Sequence, residues 1–150
     1  VSVAAAQEVY GVVLADDGSV DASATTALRA RIREARRHDM TIGTLLEGTA
    51  DIAAGRPIDD NLTLVTRDGA TGIACRHCAR RLGDAANVLH LGVIEGASRL
   101  AGQSVRSAPE LFVDAPVAFT QLVCPGCGTA LHTAIAPKGE VQTVNGFAVG

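Results

Sequence analysis

Two short cysteine loops, Cys75-Arg-His-Cys78 and Cys124-Pro-Gly-Cys127, constrain this chain more than any other feature. A Cys-x-x-Cys turn is tight enough to aim both sulfurs at one point. Two such turns supply the four thiolates that a tetrahedral zinc ion takes at roughly 2.3 Å. In the second loop Pro125 presets the turn, while Gly126 and Gly128 permit positive φ and let backbone N–H groups face the sulfurs. The first loop has Ala79 where the second has Gly128, so its signal is weaker taken alone. The 45 residues between Cys78 and Cys124 exceed the ~15–20 of a compact ribbon. Each doubling of a loop adds only about 0.6 kcal/mol to its closure, however, so an insertion is tolerable.

The expectation is one zinc site made by Cys75, Cys78, Cys124 and Cys127. A closed shell of four thiolates leaves no open coordination position, which makes such a site structural and not catalytic. The competing reading is four buried or redox-active thiols without metal; in a cytosolic chain, paired spacing favours metal over disulfides. Four thiolates around Zn²⁺ carry a formal charge of −2, and Arg76, Arg80 and Arg81 lie where they can offset it, unless they belong to a solvated basic loop. His77 sits inside the first loop and is an alternative ligand, whereas His90 and His132 fall on apolar stretches where a hydrogen-bonded histidine is the commoner outcome.

Around this centre the pattern predicts an α+β fold. Glu8 to Leu14 is β-branched and apolar and reads as a strand, stopped by the turn residues Ala15 to Ser19. Asp21 or Ser23 can cap a helix in which Ala24, Leu28, Ile32 and Ala35 recur at helical spacing through about His38. Thr41 to Ala54 reads as a second helix closed by Gly55, with Pro57 preventing its extension. The stretch Gly55 to Asn61 reads as a linker, dividing a helical N-terminal segment (1–56) from a zinc-ribbon β domain (62–150). Leu62 to Thr66 and Thr71 to Ala74 flank Arg67-Asp68-Gly69-Ala70, a hairpin signal that delivers the chain into Cys75. Val117 to Val123 and Thr129 to Ile135 flank the second cysteine loop, giving strand, knuckle, strand. From Arg80 to Ser107 the pattern is mixed and specifies no single structure.

Composition narrows the function. A net charge of −3, a single lysine (Lys138) and scarce aromatics argue against nucleic-acid binding, although a zinc-ribbon module for nucleic acid or protein is the alternative reading. Arg29, Arg33, Arg36 and Arg37 lie beside the apolar stripe of the first helix, as a solvated face or as a surface for an acidic neighbour. No apolar run approaches 18 residues and Val1 to Val20 lacks a leader pattern, so the expectation is a soluble, cytoplasmic protein without membrane contact. No phosphate-binding glycine loop, Gly-x-Ser-x-Gly elbow or His-Glu-x-x-His pair is present, so no catalytic residue is expected.

Two segments carry family resemblances. Ala5-Ala6-Gln7-Glu8-Val9-Tyr10-Gly11-Val12-Val13-Leu14, followed by Asp21-Ala22 and Thr25-Thr26-Ala27-Leu28-Arg29, resembles the C-terminal end of hydantoinase B/oxoprolinase-type subunits. Leu62 to Gly139, with Cys75-x-x-Cys78 and Val113-Asp114-Ala115-Pro116-Val117 leading to Cys124-Pro125-Gly126-Cys127-Gly128-Thr129, is similar to the small zinc-binding gamma subunit of acetone and acetophenone carboxylases. The resemblance implies an ATP-dependent ketone carboxylase whose chemistry is done by large hydantoinase A- and B-type subunits. This chain would be the zinc-holding, assembly-forming component, with the four cysteines as its ligands.

Overall fold

In the computed structural model, which describes residues 1–84, 88–97, 111–140 and 142–150, the chain opens with two helices, α1 (Val3–Glu8) and α2 (Ala22–Asp39). Strands follow in the order β1 (Thr41–Ile42), β2 (Arg56–Pro57), β3 (Leu62–Arg67), β4 (Ala70–Cys75), β5 (Arg81–Asp84) and β6 (Val88–Leu89). The remainder are β7 (Gly92–Ala97), β8 (Val117–Val123), β9 (Ala130–Pro137), β10 (Thr143–Val144) and β11 (Phe147–Val149). Two helices beside two sheets make an α+β fold. None of the described helices is long and apolar enough to cross a membrane.

Local chemistry explains the firmest elements. The Asp21 carboxylate accepts from the Ala24 backbone N–H at 2.8 Å, which starts α2 at Ala22 as an N-cap should. Arg36, Arg37 and His38 in its last turn suit the negative end of the helix dipole. Asp68 and Gly69 adopt φ of 51° and 80°, the paired positive values of a turn whose twist matches that of two antiparallel strands. Strands β3 and β4 therefore pair in unbroken register from Leu62↔Cys75 to Arg67↔Ala70.

Two expected elements are absent. Glu8 to Leu14 is not a strand. The alanine-rich residues through Glu8 form α1, capped by the Ser2 hydroxyl, and among the described residues only Leu14 of the apolar run makes a bridge, to Val20 across the Ala15 to Ser19 turn. A strand needs a partner, and β propensity alone did not supply one. Thr41 to Ala54 is not a helix either. Its first two residues form β1 against β7, Gly48 sits at φ +86°, and Thr49 bridges Arg80. Two glycines and three β-branched threonines make this a poor helix, and its backbone is engaged elsewhere. The Gly55 to Asn61 stretch contains β2, which pairs with β3 through Arg56↔Leu64 and Pro57↔Thr63. Of the residues from Arg80 to Ser107, the described ones supply β5, β6 and β7, and the others lie outside the described residues.

The strands form one sheet in the order β1-β7-β8-β9 and another in the order β10-β11-β6-β5-β4-β3-β2, antiparallel throughout except where β11 meets β6. Leu62, Ile73, Leu82 and Leu89 from the larger sheet meet Leu122 and Leu91 in a single buried core, which also contains Cys75 and Cys124. The cysteines thus close one end of the apolar interior. Helix α2 lies against β7, where Met40 and Val123 fill the space above Gly92.

Candidate metal centre

Each cysteine loop is the connection of an antiparallel hairpin, β4 to β5 in the larger sheet and β8 to β9 in the smaller. The two loops are built alike. The Cys75 carbonyl accepts from the Ala79 N–H at 2.9 Å and the Cys75 N–H donates to the Arg80 carbonyl at 2.9 Å. In the second loop the Cys124 carbonyl accepts from the Gly128 N–H at 2.8 Å and the Cys124 N–H donates to the Thr129 carbonyl at 2.9 Å. Ala79 and Gly128, at φ +61° and +70°, share the left-handed conformation that turns the chain back. The residue expected to weaken the first loop thus adopts the same backbone as its glycine counterpart.

The hairpins face each other and bring all four sulfurs within 4.8 Å of one another. Contacts cross between the loops: Cys75 Sγ lies 3.8 Å from Cys127 Sγ, and Cys78 Sγ lies 3.6 Å from Cys124 Sγ. Four sulfurs at roughly 2.3 Å from a central zinc stand about 3.8 Å apart along the edges of their tetrahedron, so the cluster has the size such an ion requires. A disulfide would need roughly 2.05 Å, and all four cysteines are free. Four cysteines this close can bind a metal such as zinc.

No family model, curated protein or solved structure matches the chain.

Within the cluster the thiols perturb one another. Cys124 is raised well above the usual thiol range by its contacts with Cys127 and Cys75 and by burial. Cys127 is lowered by those with Cys124 and Cys75, helped by Thr129, whose hydroxyl oxygen lies 3.2 Å from its sulfur. Cys75 is pushed up to about 11; its contact with Cys124 lowers it, but sharing with Cys127 and burial outweigh that. Like charges at this spacing oppose one another, so holding all four as thiolates takes a cation in their midst. Four sulfur donors, buried at Cys75 and Cys124 and half-buried at Cys78 and Cys127, fit a soft, tetrahedral ion.

The histidines are placed elsewhere. His77 is exposed and its Nε2 lies 2.9 Å from the Asn61 side-chain oxygen. His132 is exposed on β9, and the metal-sized cluster among the described residues consists of cysteines alone. Of the arginines near the first loop, Arg76 donates to the Asp59 carbonyl at 2.7 Å, Arg81 lines a cleft between residues 49–56 and strands β3 to β5, and Arg80 crosses toward the second loop.

Two supporting contacts escaped the sequence. Helix α2 lies on the second loop: a Cβ on Gly128 would stand 2.2 Å from the Arg33 carbonyl oxygen, and Arg37 donates to the Gly126 carbonyl at 3.3 Å. Residues 46–50 lie on the first loop, where the Ala50 N–H donates to the Ala79 carbonyl at 2.8 Å and Arg80 donates to the Leu46 carbonyl at 3.3 Å. The arginine-rich helix face and Gly128 were visible in the sequence, but nothing there paired them.

Proposed function

We propose that the chain is a non-catalytic, structural zinc-binding component of a larger assembly, of the ATP-dependent ketone carboxylase or hydantoinase-like type. One observation carries the metal part: four sulfurs gathered within 4.8 Å by two loops with matching hydrogen bonds. Cys75, Cys78, Cys124 and Cys127 hold the ion, which supplies a cross-link between the two hairpins. In this reading residues 62–150 are a zinc-ribbon-like domain and residues 1–56 a segment like a hydantoinase B tail. The assembly part rests on the resemblances in Ala5 to Arg29 and Leu62 to Gly139, and on the want of catalytic motifs in the sequence.

Structural zinc of this kind contributes directly to folding, because the ligands are gathered only in the folded chain. The experiment for the assembly is co-purification from the native host. An affinity-tagged chain is expected to recover large subunits of hydantoinase A and B type at fixed stoichiometry. Recovery of the zinc-loaded chain alone contradicts that part.

A further inference from the structure

The arginine at position 80 occupies the same place in the first loop as Thr129 in the second. Each directly follows the left-handed residue, and each offers its carbonyl to the N–H of its loop's first cysteine. Thr129 also turns its side chain to the sulfurs, with Oγ1 3.2 Å from Cys127 Sγ. The Arg80 side chain turns inward as well and spans the gap between the loops. A Cβ built on Gly126 would stand 2.8 Å from Arg80 Cδ and 3.1 Å from Cys78 Sγ, so stem and sulfur share the small volume above that glycine. One end of the guanidinium is fixed by the bond from Nη2 to the Leu46 carbonyl. Its Nε is buried and, among the described residues, has no hydrogen-bond partner.

We propose that Arg80 is the positioning residue of the four-cysteine centre: its stem wedges the two loops at their working separation and its guanidinium offsets the negative charge of the thiolates. This inference rests on the zinc reading above. A zinc ion with four thiolates carries a net charge of −2 in a half-buried setting, where a fixed cation acts more strongly than in water. Arg76 and Arg81 are close in sequence, but the Arg76 guanidinium donates to the Asp59 carbonyl and Arg81 lines the cleft beside residues 49–56. On the α2 side Arg37 reaches the Gly126 carbonyl, but it also pairs with Glu34 at 2.6 Å and its bond to Gly126 is exposed.

The test is zinc release from the loaded full chain into excess chelator, for wild type, Arg80→Met, Arg80→Lys, Arg76→Gln and Arg81→Gln. Groups that support metal ligands typically change affinity by 10–100-fold, so Arg80→Met is expected to release zinc about tenfold faster or more, with Arg80→Lys, Arg76→Gln and Arg81→Gln near wild type. Cobalt-loaded protein gives a readout that packing alone does not move: without the guanidinium the sulfurs are more electron-rich, and the thiolate-to-cobalt charge-transfer band of Arg80→Met shifts to longer wavelength. Arg80→Gln carries the same comparison if Arg80→Met does not fold. Wild-type release rates with an unmoved band, or Arg80→Lys releasing zinc as fast as Arg80→Met, overturns the proposal. A wild-type chain that takes up no zinc defeats the underlying reading instead.

Discussion

The two cysteine loops have the same backbone and different surroundings. Cys75 to Arg80 and Cys124 to Thr129 close with matching pairs of hydrogen bonds and one left-handed residue each. What lies against them differs: residues 46–50 on the first, the end of helix α2 on the second. This explains why one loop tolerates alanine where the other has glycine. The left-handed conformation costs a non-glycine residue roughly 1–2 kcal/mol, a strain the closed site can hold at Ala79. At Gly128 the obstacle is the Arg33 carbonyl, which leaves no space for a Cβ.

If the loops are equal partners in one site, losing a sulfur from either is equally severe. Cys75→Ser and Cys124→Ser are each expected to abolish stoichiometric zinc and cooperative folding, read by metal content and circular dichroism. A Cys75→Ser chain that keeps its zinc while Cys124→Ser loses it would break the equivalence. Next in size is the exchange at the left-handed position. Gly128→Ala adds conformational strain and a clash with α2, together about 3 kcal/mol of destabilisation in urea unfolding of the loaded chain. Ala79→Gly is expected to be neutral or to stabilise by up to about 1 kcal/mol. Equal losses from the two would mean that the surroundings of the loops do not matter. Thr129→Val removes the hydroxyl beside Cys127 and is expected to cost about 1 kcal/mol in the same assay. Smallest is Arg37→Ala, under about 1 kcal/mol, since the bond to Gly126 is exposed to solvent.

The comparison also shows which parts of this molecule a sequence can disclose. Helix α2, the β3–β4 hairpin and the strands flanking the second loop are instructed locally, by Asp21, by Asp68-Gly69 and by β-rich runs meeting Pro125 and Gly126. The four cysteines were legible from spacing alone, and the structure brings them together. Two segments read wrongly because distant partners decide them. Residues 41–54 have apolar spacing compatible with a helix, but the carbonyls of Leu46 and Gly48 and the N–H of Ala50 bond to Arg80, Arg81 and Ala79. Glu8 to Leu14 has strand-forming residues, but among the described residues its one bridge is Leu14 to Val20, and the Val13 N–H and Gly11 carbonyl bond instead to the Thr25 and Arg29 side chains of α2. Ala79 weakens the first loop's signal because glycine is preferred at a left-handed residue, yet alanine adopts that backbone here at φ +61°.

The central claim is that the four sulfurs hold one zinc ion. Native mass spectrometry of the purified full chain, paired with counting of fast-reacting thiols, tests it directly. The account predicts one zinc per chain, no fast-reacting thiol, and four released together with unfolding when the metal is stripped. A metal-free folded chain with four freely titrating thiols, or one that oxidises to Cys75–Cys127 and Cys78–Cys124 disulfides without unfolding, would contradict it.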